Sequence, residues 1–198
     1  MKIKKFNRII TAVLLVLSFS ALQSAHASLI LMTNATVESG TPWNLGGGVG
    51  ELIDGDTTAG PNWFGFRPLS GLQNDRVRLT LGGIYDLSAV NIWNNGGGID
   101  NDREGLKDFQ LTFLDANFLS LGSYSGSLLD LQTIQTQTIS AFGVAFVDLT
   151  FKTSHGVNYA IITEIQLEGE ATVPEPSTLA VLALGMMGLA SRRFKRKQ

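Results

Sequence analysis

The stretch Arg76-Val77-Arg78-Leu79-Thr80-Leu81 alternates polar and apolar residues without a break. Successive side chains of an extended strand point to opposite faces, so this pattern turns Val77, Leu79 and Leu81 to one side of a sheet. The same period recurs downstream. Phe109, Leu111 and Phe113 alternate with Gln110 and Thr112, and Val147, Leu149 and Phe151 alternate with Asp148 and Thr150. Ile161, Ile165 and Leu167 are expected on one face, with Glu164 and Gln166 on the other. Ala89 to Trp93 and Leu131 to Ile139 add two expected strands. Gly82-Gly83, Asn94 to Gly98 and His155-Gly156 read as turns between them. No amphipathic helix separates the strands, which argues against a parallel α/β fold, and there is no internal repeat. The expected fold class is all-β, a sandwich or barrel.

Both ends stand apart from this pattern. Lys2, Lys4, Lys5 and Arg8 precede an apolar stretch from Ile9 to Phe19, and Ala25-His26-Ala27 is a small-x-small cleavage site. Residues 1–27 therefore read as a signal peptide, and the mature chain as starting at Ser28. At the other end, Pro174-Glu175-Pro176 is a stiff, non-helical tripeptide. A mostly apolar run of thirteen residues follows, Thr178 to Ala190, and then Arg192, Arg193, Lys195, Arg196 and Lys197. A membrane span needs about 20 apolar residues. Two readings remain: a marginal transmembrane anchor with its basic end in the cytoplasm, or a sorting signal that is read and removed.

This order of motif, apolar run and basic end resembles a PEP-CTERM tail, whose defining motif is the Pro174-Glu175-Pro176 triplet. The resemblance implies an exosortase as partner, in the inner membrane of a Gram-negative bacterium that makes exopolysaccharide. It also implies an inner-membrane-anchored precursor that is released to the cell surface or extracellular matrix. Residues 171–198 are assigned to this segment, leaving residues 28–170 as one body domain.

That body carries six basic and sixteen acidic residues, a net charge of −10. Such a charge repels nucleic acid and anionic lipid and suits divalent cations or neutral ligands. The chain has no cysteine, so the body is stabilised by core burial, with a metal as a possible aid.

Glu51-Leu52-Ile53-Asp54-Gly55-Asp56-Thr57-Thr58, followed by Trp63, resembles a segment of discoidin-like domains, the factor 5/8 type C or galactose-binding-like jelly rolls. Val77 to Val90, Asn94 to Phe109 and Asn158 to Gly169 are similar to later segments of the same family, in the same order. The resemblance spans nearly all of the body. It implies a jelly-roll β-sandwich that binds carbohydrate and holds a structural calcium.

Asp54, Asp56, Thr58 and Glu164 are the candidate metal ligands. Ca²⁺ takes six to eight oxygens from carboxylates, hydroxyls and carbonyls, and the Asp-Gly-Asp turn supplies two carboxylates on a tightly bent backbone. The resemblance implies that Glu164 closes the shell from the last strand. The family's threonine falls one residue later, where this chain has Ala59, so Thr57 or Thr58 would stand in. The alternative is an acidic turn with no metal. Asp100-Asn101-Asp102-Arg103-Glu104-Gly105 opens like a second calcium loop. Its twelfth position would be Leu111, which cannot ligate, so a solvated turn is the favoured reading.

Trp43, Trp63, Phe64 and Trp93 are the aromatic candidates for a ligand face, because sugar C–H faces pack on aromatic rings. Trp93 takes the outward phase of its strand, beside Asn94 and Asn95 and near Arg103 in sequence. It reads equally as ligand platform or as core or edge packing. Trp63 is expected in the core. The ligand set is thus Trp93, Asn94, Asn95, Arg103 and Trp43. The body's one histidine, His155, lies in a Ser-His-Gly turn, and there is no cysteine nucleophile, G-x-S-x-G elbow or H-E-x-x-H motif. The body reads as a binding module, not an enzyme. The alternatives are a matrix protein without a small ligand and, less favoured, a polysaccharide hydrolase.

Overall fold

The computed structural model describes residues 27–42, 47–58, 63–67, 75–95, 104–156 and 159–172. Trp43, Arg103, the Asp100-to-Asp102 stretch and Pro174-Glu175-Pro176 lie outside the described residues, as does nearly all of the signal peptide.

The strands are β1 (Ser28–Ile30), β2 (Asn34–Ser39), β3 (Phe64–Phe66), β4 (Asp75–Asn94), β5 (Asp108–Leu114), β6 (Ser120–Ser127), β7 (Ile134–Phe151) and β8 (Ala160–Ala171), with a 3₁₀ helix at Val49–Ile53. The strands pair antiparallel in the order β1-β8-β4-β7-β5-β6, and β2 joins β4 while β3 joins β8. β4 and β7 are long, 20 and 18 residues, and they pair with each other along most of that length. β2 flanks the first part of β4, Arg76 to Thr80, and β8 flanks the second, Tyr85 to Asn94. The two long strands therefore leave one sheet and enter the other, and the two halves close into a β-sandwich.

The expected turn at Gly82-Gly83 is instead a bend inside β4. Gly82 (φ 72°) and Gly143 (φ 70°) adopt left-handed backbone at the bends of β4 and β7. Without a Cβ they turn there at no steric cost, so the chain bends without breaking the strand. The strand expected from Leu131 begins at Ile134.

Alternation fills the interior as anticipated. Val77, Leu79, Leu81, Phe109, Leu111, Phe113, Val147, Leu149 and Phe151 all belong to one buried core, facing Val90, Ile92, Ile165 and Leu167. Phe66 packs edge-on between Phe64 and Phe151, with ring centroids 5.2 and 5.0 Å away. Phe64 is therefore a core residue and not part of a ligand face, while its neighbour Trp63 stays half-exposed. The strand pairing β3 imposes, Phe64 opposite Ile162, puts Phe64 on the inner face.

Ile161 also departs from the simple alternation. Trp93 lies opposite Glu164, but Asn94 lies opposite Ile162, so β8 carries an extra residue at this point. A bulge of this kind reverses the phase of the residues before it. Ile162 joins the core, and Ile161 faces the side of Glu164 instead of sharing a face with Ile165 and Leu167.

Candidate functional site

One end of the sandwich gathers the end of β4, the start of β7 and β8, and the loops around residues 104–107, 128–133 and 152–156. Trp93 lies on the outer face there, half-buried, between Glu164 on β8 and Ile134 on β7. Ile134, Leu131 and Leu129 are all exposed large apolar side chains. One register step along the same face, Asn91 donates to Glu168 at 2.6 Å and accepts from the Thr136 hydroxyl at 2.7 Å. The result is an aromatic–aliphatic ledge bordered by a fixed row of polar groups. Rings that offer one face to solvent and anchor on the other are the usual means of holding a flat, partly apolar ligand.

Asn95 adjoins Trp93 and is half-buried. Asn94 does not join them. It takes the inward phase, is 1% exposed, and its amide donates to the carbonyls of Leu106 (2.8 Å) and Leu129 (3.0 Å). Its role is to tie two loops to the strand, which removes it from the candidate ligand set. Gly105 makes room for it, since a Cβ there would stand 2.9 Å from the Asn94 amide atoms.

The polar groups of the surrounding loops are committed to structure. His155 donates from Nε2 to the Leu128 carbonyl at 3.0 Å. Glu104 accepts from the Tyr159 hydroxyl at 2.8 Å. Asp108 accepts from the hydroxyls of Ser127 and Thr153, which hold its carboxyl below the usual range.

Glu164 is 2% exposed, and burial pushes its carboxyl up to about 7; the Gly55 and Gln166 hydrogen bonds oppose the shift, and Asp54 and Asp56 add to it. The backbone N–H of Gly55 donates to Glu164 at 3.3 Å across 109 residues of sequence. The Asp-Gly-Asp turn is thus brought against the last strand, as the candidate metal set requires. Glu51, which the sequence reading left out of the ligand set, belongs to the same acidic group. Desolvation and then the nearby Asp54 and Asp56 raise its carboxyl as well.

One buried carboxylate, Glu164, beside the half-exposed Glu51 and Asp56 and the exposed Asp54 forms a mutually repelling group whose chemistry suits a hard divalent cation. Their present arrangement is inward-looking. Asp54 accepts from the N–H of Asp56 at 2.8 Å, and Asp56 accepts from both the N–H and the hydroxyl of Thr58. Among the described residues, no group of three or more His, Cys, Asp or Glu side chains is set to hold a metal as it stands. The register also joins what the sequence kept apart: Trp93 and Glu164 are direct cross-strand neighbours, so the aromatic ledge and the acidic turn share one end of one sheet.

A second polar cluster had no sequence signal, because four separate elements build it. Asp148, buried on the outer face of the other sheet, accepts two hydrogen bonds from Arg78 at 2.7 and 2.9 Å, and Arg76 approaches to 3.6 Å. Arg78 also reaches Glu38 at 3.4 Å and stands 5.0 Å above the Phe118 ring, which stacks on Phe146.

Residues 172–197 match the family model described as the PEP-CTERM protein-sorting motif. The tail is a PEP-CTERM sorting signal. It marks the chain as an exported, exosortase-processed protein. No curated protein matches the chain.

Its body is a discoidin-like β-sandwich, and its solved structural neighbours are mainly carbohydrate-binding modules. A lectin-binding domain of lectinolysin complexed with Lewis b superposes with a TM-score of 0.58 at 16% identity, covering 74% of this chain and 99% of that one. The family 32 CBM of NanJ from C. perfringens, in complex with galactose, gives 0.58 at 16% identity, covering 72% and 99%. A fucose binding module from Streptococcus pneumoniae gives 0.54 at 15% identity, covering 71% and 94%. A family 89 glycoside hydrolase from Clostridium perfringens also matches, over 15% of its own length. Among the described residues, no helix is long and apolar enough to cross a membrane.

Proposed function

We propose that this is a cell-surface or extracellular-matrix protein whose sandwich binds carbohydrate at the Trp93 end, with calcium as a structural ion at the neighbouring acidic turn. The carrying observation is the position of Trp93: half-exposed at the end of the outer face, flanked by exposed Ile134 and the Asn91–Glu168–Thr136 row. That arrangement presents a ring to a sugar's C–H face, with polar groups one step away for its hydroxyls. The ligand classes in the neighbours' structures support the reading. Asn95 is the adjoining polar contact, and Trp43 and Arg103, outside the described residues, remain candidates from the sequence.

Calcium is supported by the donor chemistry. Glu164, Asp54, Asp56 and Glu51 would supply carboxylate oxygens, and Asp54 and Asp56 would exchange their present N–H partners for the ion. The sorting signal supports an exosortase as partner and an inner-membrane precursor held by the tail until it is processed.

A glycan array of the mature body, compared with Trp93→Ala, tests the binding. The expected result is a loss of roughly 1–3 kcal/mol of affinity, comparable to a buried apolar side chain, with an almost unchanged melting temperature. Failure of the wild-type body to bind any glycan would favour the matrix-protein alternative. A large fall in stability in the variant would show that Trp93 serves the fold.

A further inference from the structure

The proposed sugar platform lies at one end of β8, and the tail leaves from the other. Trp93 pairs with Glu164 and Tyr85 with Ala171. Eight residues along β4 separate these levels, a distance of about 26 Å at about 3.3 Å per residue. At the exit, Thr172 donates to the Ile84 carbonyl at 2.8 Å. Its hydroxyl meets Asp86, which also accepts from the Gly143 N–H at 2.8 Å. Both strand bends and the tail root are thus fastened together.

This end displays large apolar side chains to solvent: Phe142 is 71% exposed, Leu119 64%, Phe118 54% and Ile84 46%. Phe142 adjoins Gly143, and Ile84 holds Thr172 directly. Phe118 and Leu119 form the tip of the β5–β6 hairpin, whose Leu114 pairs with Phe146 near the β7 bend. Phe118 is also the one positive-φ residue other than glycine among those described, at φ 61°. A bulky residue in that region is an outlier. Asp115 stabilises it by accepting from the N–H groups of Asn117 and Leu119 at 2.8 and 2.9 Å, and Phe146 stacks beneath it. The strained backbone thus sets the Phe118 ring on Phe146 while leaving half of it exposed to solvent.

The tail says what lies there. From Thr172 to Thr178, where the thirteen-residue apolar run begins, the chain reaches at most about 20 Å. The polar zone of a leaflet takes up about 5–7 Å of that. While the run is in the bilayer, this end of the sandwich therefore stays within about 15 Å of the lipid headgroups.

We propose that the exit end, carrying Ile84, Phe118, Leu119 and Phe142, is a membrane-contact surface on which the unprocessed precursor rests, pointing Trp93 away from the bilayer. The inference rests on the anchoring role given above to the tail. The charges at this end are Asp86, Asp115 and Glu170, with Arg78 over the Phe118 ring bound to Asp148 and Glu38 and Arg76 beside Asp148; acids outnumber bases, so the surface fits neutral rather than anionic lipid.

The test uses the full chain in neutral phosphatidylcholine vesicles recovered by flotation. The sequence has no cysteine, so Asn117→Cys at the exit end and Lys107→Cys at the far end each take a single environment-sensitive label. Headgroup spin-labelled lipid should quench the label at 117 severalfold more than the one at 107. Phe118→Ser with Phe142→Ser should bring the two to one level without affecting flotation. Equal quenching of both labels in floated chains overturns the surface and leaves the anchor standing. Shielding at 117 through transfer between labelled chains, or only when an exosortase is co-reconstituted, assigns this end to a second copy or to the enzyme and overturns the lipid proposal. A chain that does not float overturns the anchor and this surface with it.

Discussion

At the scale of single residues, burying Glu164 sets a pH window. Its folded carboxyl titrates near 7, above the ordinary 4.5, so the folded state holds its proton more tightly than the unfolded chain does. Stability from this group is fully present below about 4.5, falls as pH rises through the window, and levels off above about 7. At about 1.4 kcal/mol per pH unit, the loss is on the order of 3 kcal/mol. Urea denaturation in EDTA at pH 5 and pH 8 should show this decline in the wild type, and Glu164→Gln should show a much smaller one. Calcium should act in the opposite sense at pH 8. An ion at a hundredfold excess over its Kd adds about 2.7 kcal/mol, or roughly 5–10 °C in melting temperature for a domain of this size. Asp54→Ala and Glu164→Gln should each lose most of that rise. Equal melting temperatures in EDTA and millimolar calcium would reject the site. The Asp-Gly-Asp turn and Glu164 were legible in the sequence through family likeness. Glu51 was not, because its approach to Asp54 depends on the tight 3₁₀ turn that carries it.

At the scale of elements, period-two alternation gave the core of β4, β5 and β7 residue by residue, since each strand buries one face. It did not reveal that β4 runs on through Gly82-Gly83. A glycine pair reads alike as a turn or as a bend, and only the partner strand decides which. It missed β6, whose Ser-Leu-Gly-Ser-Tyr-Ser-Gly-Ser sequence carries few apolar residues because it lies at the sheet edge. It also placed Asn94 beside Trp93, when strand alternation sends the two to opposite faces. The bends make their own prediction. Gly143→Ala forces a side chain into left-handed backbone in open space and should cost about 1–2 kcal/mol. Gly82→Ala should cost more, because its Cβ would also stand 2.6 Å from the Thr33 methyl. Paired denaturation curves check the order, and a milder loss at Gly82 than at Gly143 would contradict it.

At the scale of the molecule, the sorting signal has its own test. Mass spectrometry of the surface form in the native host should find the basic end beyond Ala190 missing, and Pro176→Ala should accumulate as membrane-bound precursor. Intact Gln198 on the surface form would contradict exosortase processing. The sheet order carries a consequence for the chain's synthesis. Of the described strands β8 is the last to be made, yet it lies inside the sheet, with β4 on one edge and β1 and β3 on the other. Ser28, the first residue after the expected signal-peptide cut, pairs with Gly169 near its end. Until residue 169 has emerged, the first strand has no partner and β4 has an open edge along its second half. A nascent chain in that condition cannot close its sandwich until its last described strand arrives, which leaves it open through nearly the whole of its synthesis.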